Sequence, residues 1–137
     1  MPKGLRFLGL LVAEFLAGCV LAVAGYFAVA IAAATQDWSL FGSCKAAPLA
    51  GMVLGGPLGC VAGVVLVSVI VRGASGWTGL GTAAALVVAL GSVSGVIWLL
   101  DAIGGRFFVF APAVPAAFSM AVYHACLRLR RRRPQDG

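Results

Sequence analysis

Four long apolar runs alternate with short polar stretches along the chain. Each run has at least the roughly 20 residues that an α-helix needs to cross the hydrocarbon core of a bilayer. Short connections favour neighbouring helices that run antiparallel. The pattern predicts a single integral membrane domain, residues 1–137: an all-α, four-transmembrane-helix antiparallel bundle. Its spans cover about residues 5–34, 46–71, 78–100 and 107–127, and a basic tail follows at 128–137.

Prolines predict where these helices depart from regular geometry. Pro57 lies in the middle of the second run and cannot donate a helical hydrogen bond, so we expect a kink within residues 53–57. Pro112 and Pro115 lie near the start of the fourth run. If regular helix begins only there, the remainder as far as Arg128 spans about 25 Å, slightly less than a typical hydrocarbon core.

Composition supports a membrane location and argues against an enzyme. Apolar residues make up 62% of the chain, mean hydropathy is +1.07, and only 10% of the residues are charged, whereas a soluble domain has about 25% charged residues. No nucleophile, base and orienting group occur at a workable spacing, so we expect a non-enzymatic protein. Four cysteines lack the CxxC spacing and have no histidine cluster nearby, so we expect neither a cofactor nor a metal site.

The basic residues predict the orientation in the membrane. Cytoplasmic loops and tails carry an excess of lysine and arginine. Eight basic residues fall on the side of both termini, and only Lys45 and Arg106 fall on the other side. The sequence therefore predicts a multi-pass protein of the inner (plasma) membrane with both termini cytoplasmic. The eight residues are Lys3, Arg6, Arg72, Arg128, Arg130, Arg131, Arg132 and Arg133.

The arginines of the tail are candidates for contact with anionic lipid headgroups. Each basic residue near a membrane surface is attracted by about 1 kcal/mol. The alternative is that they only anchor the topology. Nucleic acid is not an expected partner, because a folded basic surface with interleaved aromatic residues is absent from the sequence. The five arginines concerned are Arg128, Arg130, Arg131, Arg132 and Arg133.

A glycine stripe lies in the second apolar run. Gly51, Gly55, Gly59 and Gly63 are four residues apart, so they lie along one face of a helix. Glycine at such positions lets another helix backbone approach closely in lipid. The partner helix could belong to another chain, or to the first or third span of the same chain. A second small-residue face is predicted in the third span, over residues 91–95.

Glu14 is the only acidic residue predicted within the hydrocarbon. It lies eight residues beyond Arg6, about 12 Å along the helix, too far for its side chain to reach water easily. A carboxylate there costs several kcal/mol, so such a residue is by default a functional candidate. The same face carries Gly18, Ala22 and Gly25. We expect Gly18 to belong to the helix-packing surface. Glu14 should therefore point into the bundle, where it is a candidate proton or cation site.

Two alternatives remain for the polar residues of the spans. Glu14 could instead be a protonated structural group, hydrogen-bonded to a neighbour such as Ser68 or Thr82. Tyr123 and His124 lie one turn before the arginine cluster. We expect them to be interfacial side chains with their polar ends at the level of the headgroups. The alternative for His124 is a proton relay with Glu14.

The segment Leu11-Val-Ala-Glu14-Phe-Leu-Ala-Gly18, in the first of four short spans, resembles the small multidrug-resistance transporters. The resemblance implies a first-helix glutamate that exchanges protons for a cationic substrate within a dimer. It covers only these residues and the number of spans. The aromatic-rich substrate walls and the glycine-containing third-helix motif of that family are not recognisable in this chain, so membership is not inferred.

Two functions follow from the sequence. The first is an oligomeric or accessory membrane subunit that packs through the glycine stripe. Its expected partners are the lipid bilayer and a second copy of the chain or another membrane protein. The alternative is a small proton-coupled transporter or ion pathway that uses Glu14.

Overall fold

The computed structural model describes residues 3–36, 46–105 and 111–132, and these residues form helices and turns without any strand. The prediction of an all-α fold is confirmed. Lys45, Arg106, Arg133 and the residues 107–110 that open the predicted fourth span lie outside the described residues. The helices are α1 (Lys3–Thr35), α2 (Ala46–Ala50), a π-helical segment (Gly51–Gly55), α3 (Gly56–Arg72), a 3-10 turn (Gly73–Gly76), α4 (Gly79–Ala102) and α5 (Ala113–Arg132).

Three helical stretches are long and apolar enough to cross a membrane: Lys3–Thr35, Pro48–Ser75 and Gly79–Ala102. The prediction of four spans is therefore supported for three of them. The fourth helix, α5, begins only at Ala113, after the first proline of its run. Its last turn carries three arginines, which lower its mean hydropathy.

The four long helices form two close pairs. Helix α1 packs mainly against α3, and α4 packs mainly against α5, while α5 also contacts α1 and α3. The Arg128 guanidinium lies over the ring of Phe7, and Nη1 of Arg130 donates a hydrogen bond to the Trp77 carbonyl at 2.7 Å. The start of α1, the end of α5 and the α3–α4 turn therefore lie together. We call this the terminal end of the bundle and the opposite end the distal end.

The glycine stripe faces α1 of the same chain. A Cβ added at Gly63 would lie 2.5 Å from the Ala17 carbonyl oxygen, and one added at Gly51 would lie 2.7 Å from that of Tyr26. At Gly55 and Gly59 the added atom would overlap the α1 backbone still more closely. Of the alternatives above, the structure shows the one within the chain. The stripe allows α1 and the second span to pack backbone to backbone.

The second span is irregular just before its central proline. The N–H of Gly56 donates to the carbonyl of Gly51, five residues back, which is the π-helical spacing. Pro57 follows directly and is buried. It has no N–H to give to the preceding turn, so the wider turn lies where regular α-helical bonding is already interrupted. The irregularity predicted at 53–57 thus takes the form of a π segment at 51–55.

Candidate functional site: a buried Glu14–His124 pair

Glu14 lies inside the bundle. Its side chain has no solvent exposure, and the buried residues of α1 are Glu14, Gly18 and Ala22, four residues apart along one face. The prediction that Glu14 points into the bundle is confirmed. Because Gly18 and Ala22 are small, α3 and α5 can approach α1 closely on this face.

His124 is the partner of Glu14. Its Nε2 atom contacts Oε2 of Glu14, and its residue is only 8% exposed. The two residues are 110 positions apart in the chain, and the contact joins α1 to α5. One side chain therefore belongs to the α1/α3 pair and the other to the α4/α5 pair.

Tyr123 and His124, expected as interfacial side chains, are buried inside the bundle. Tyr123 is completely buried, and burial continues to Leu127, which is 3% exposed. Tyr123 and Leu127 belong to a core cluster with residues of α3 and α4, such as Val64 and Ala89. The bundle is thus closed for about one turn beyond His124, and the imidazole stays inside it.

The other carboxylate oxygen of Glu14 has a different environment. Oε1 is buried and has no hydrogen-bond partner among the described residues. Of the neighbours suggested by the sequence, Thr82 is engaged elsewhere, because its Oγ1 donates to the Thr78 carbonyl at 2.9 Å. A buried polar atom without a partner is destabilising.

Phe7 and Arg128 cover the pair on its terminal side. The ring of Phe7 meets the His124 imidazole edge-on, with 5.9 Å between ring centroids and an interplanar angle of 76°. The guanidinium carbon of Arg128 lies 5.9 Å from the centroid of the same ring. A column therefore runs inward from the terminal end in the order Arg128, Phe7, His124, Glu14.

A layer of small side chains closes the other side of the pair. A Cβ added at Gly18 would be 3.4 Å from the carbonyl oxygen of Cys60 and 3.6 Å from the Cβ of Ala116. Cys60, Ala116 and Ser119 are fully buried, and the Sγ of Cys60 lies 3.6 Å from the Oγ of Ser119. This layer separates Glu14 from the distal half of the bundle.

A cavity of about 240 Å³, partly open to the outside of the bundle, lies in the distal half. Both helix pairs and the π segment line it, and the lining residues that the structure describes are uncharged. Its walls include Ala22 and Tyr26 of α1, Pro57 of α3, Val96 of α4 and Pro115 of α5. An apolar cavity of this kind suits an apolar occupant better than water.

The arginines of the tail make different contacts. Arg128 covers Phe7 and Arg130 bonds the Trp77 carbonyl, so both guanidinium groups have partners within the chain. Arg131 and Arg132 are exposed at the end of α5. Contact of these side chains with anionic lipid remains a prediction.

Comparisons with known proteins add no relative: no family model, no curated protein and no solved structure matches this chain.

Proposed function

We propose that this chain is a small proton-coupled membrane transporter in which the Glu14–His124 pair takes up and releases the proton. The observation that carries the proposal is the buried contact between this carboxylate and the chain's single histidine. Ionisable side chains within membrane helices are rare, and they mark proton relays and substrate paths. Histidine is also the side chain whose charge changes most readily near neutral pH.

The packing of the bundle supports a chemical role for the pair. A buried ion pair is a weak source of stability, and well-packed apolar residues of similar volume are often as stable or more so. Close packing of the first two spans comes instead from the glycine stripe, along which backbone meets backbone. A carboxylate and an imidazole in such an interior are better explained by a role in proton exchange than by a contribution to the stability of the bundle.

The position of the pair offers a coupling mechanism. Glu14 belongs to the α1/α3 pair and His124 to the α4/α5 pair. Gain or loss of a proton changes the charge of the contact that joins them, and so changes how favourably the two helix pairs pack at the terminal end. A change of this kind can bias a two-state arrangement of packed helices.

The distal cavity is the proposed substrate compartment. It lies between the α1/α3 and α4/α5 helix pairs, at the distal end of the bundle, away from the Glu14–His124 contact. Because the described part of its lining is uncharged, it fits a largely apolar substrate. In this proposal the terminal end faces the cytoplasm of a cell whose plasma membrane holds the protein, as the positive-inside rule favours.

The subunit interpretation has less support. It rested on the glycine stripe as a surface for a partner, and α1 of the same chain covers that stripe. The non-enzymatic character of the protein is part of both proposals.

Glu14→Gln should remove a proton uptake and release step from the reconstituted protein. The wild-type chain is expected to exchange about one proton per molecule between about pH 5 and pH 9, the range in which the charge of histidine side chains usually changes. The measurement is proton release into a weakly buffered, dye-containing solution after a pH jump. Asp101→Asn is the matched control, because Asp101 is exposed at the end of α4 and lies outside the pair. Equal proton exchange by wild type and Glu14→Gln would overturn the proposal.

A further inference from the structure

We propose that Phe7 is the gate between the solvent at the terminal end and the Glu14–His124 pair. The inference rests on the proposed function, because a proton path needs an entrance that can open and close. Glu14 has no exposure and His124 is 8% exposed, whereas Phe7 is 38% exposed. The ring of Phe7 thus reaches from the surface of the bundle to the imidazole.

The contacts of Phe7 hold its ring over the imidazole. On its inner side, the edge-on contact with His124 is a favoured arrangement of aromatic rings. On its outer side, the Arg128 guanidinium lies within the range of a cation–π interaction, which is weak at an exposed site. These energies are small, so the ring can leave this position without unfolding the bundle.

Phe7 also separates two groups that would otherwise meet. Arg128 lies one helical turn beyond His124 on α5, so an imidazolium and a guanidinium would repel each other without an apolar group between them. The phenyl ring carries no donor or acceptor of protons. While the ring lies between them, no chain of hydrogen bonds along this column connects the solvent to the imidazole.

The charged and titratable groups around the imidazole are few. Glu14 approaches from α1, and Arg72 at the end of α3 acts electrostatically on the neighbouring Tyr123. Arg128 approaches along α5 through Phe7, while the acidic residue of α4, Asp101, lies at the distal end of that helix. Among the described residues, Phe7 and Arg128 thus form a column from the surface at the terminal end to the imidazole.

Hydrogen–deuterium exchange at the C2 position of the imidazole tests this assignment. Because the chain contains one histidine, mass spectrometry of the reconstituted protein reports His124 alone. Phe7→Ala should speed the exchange on the order of tenfold, the change expected when a shallow local barrier to solvent is removed. Phe7→Leu, which keeps an apolar side chain at this position, should speed it less. Leu8→Ala is the matched control, since Leu8 is the next residue of α1 and is 56% exposed.

Faster exchange in Phe7→Ala with unchanged exchange in Leu8→Ala would support the gate. Equal exchange in Phe7→Ala and wild type would overturn it, and so would equal acceleration by Leu8→Ala. If Phe7→Ala fails to fold, Phe7→Leu is compared with wild type instead. Faster exchange in Phe7→Leu would support the gate, and equal exchange would overturn it. Proton release that depends on Glu14 is measured separately, with Phe7 unchanged. Loss of that release would contradict the proposed function, whereas unchanged imidazole exchange in the Phe7 variants would contradict only the gate.

Discussion

Replacing Gly59 with leucine is expected to separate α1 from α3 and to prevent the bundle from forming. A Cβ at this position would already overlap the Leu21 carbonyl, which is backbone and cannot rotate away. Overpacking of an interior costs about 1–3 kcal/mol even where side chains can shift, and here two helices would have to move apart. Gly59→Ala should show the smaller form of the same effect, as a lower midpoint of thermal unfolding in detergent.

Gly91→Leu is the matched control for Gly59→Leu. Both positions are glycines inside long apolar helices, so both variants gain the same helix propensity. A Cβ at Gly91 would meet nothing within 4 Å. Gly91→Leu should therefore be recovered as a folded protein with an unchanged midpoint. If the two variants unfold alike, the glycine stripe does not hold α1 against α3.

Breaking the buried pair on one side should be far more damaging than removing both partners. His124→Ala leaves the Glu14 carboxyl buried without its partner, and loss of one member of a buried pair costs about 3–5 kcal/mol. The double variant Glu14→Met, His124→Leu places apolar side chains of similar size in the same space. We expect it to be as stable as wild type or more stable, because no buried charge then needs a partner.

The same double variant distinguishes a structural role of the Glu14–His124 pair from a role in proton exchange. It should retain the thermal unfolding midpoint of the wild-type chain and lose all Glu14-dependent proton exchange. A double variant destabilised as much as His124→Ala would instead show that the pair is structural glue, and the transporter proposal would lose its main support.

The helices and the inward face of Glu14 could be predicted because they depend on local spacing. An apolar run long enough to span requires a helix in lipid, where each backbone polar group needs an internal partner. The small residues Gly18 and Ala22 follow Glu14 at helical intervals, which placed the carboxylate on the packed face. Pro57 marked the irregular turn for the same reason, since its missing N–H is a property of one residue.

The partner of Glu14 could not be predicted with the same certainty. Its contact with His124 joins residues 110 positions apart, and spacing along one helix says nothing about which helix lies opposite. The expectation of an interfacial His124 assumed that the bundle ends near the arginines, whereas the core continues to Leu127. A signal was present: the chain has one histidine, and it stands in an apolar run, as Glu14 does.

The glycine patterns show a similar limit. Sequence spacing predicted small-residue faces both in the second span and at residues 91–95. Among the described residues, only the first is packed against another helix, and Cβ atoms at Gly91 and Gly95 would meet none of them within 4 Å. Glycines at every fourth position indicate that another helix can approach closely. Whether a helix does approach it depends on the arrangement of the whole bundle.

The most direct test of the account is the protonation of His124 and Glu14 observed residue by residue. Nitrogen and carbon chemical shifts of these side chains can be recorded in lipid bilayers by solid-state magnetic resonance between about pH 5 and pH 9, the range in which histidine charge changes. We expect the imidazole and the carboxyl signals to change together in the wild-type chain, and the imidazole change to shift or disappear in Glu14→Gln. Signals that stay constant over the whole range would show a pair sealed from water, and would contradict its role in proton exchange.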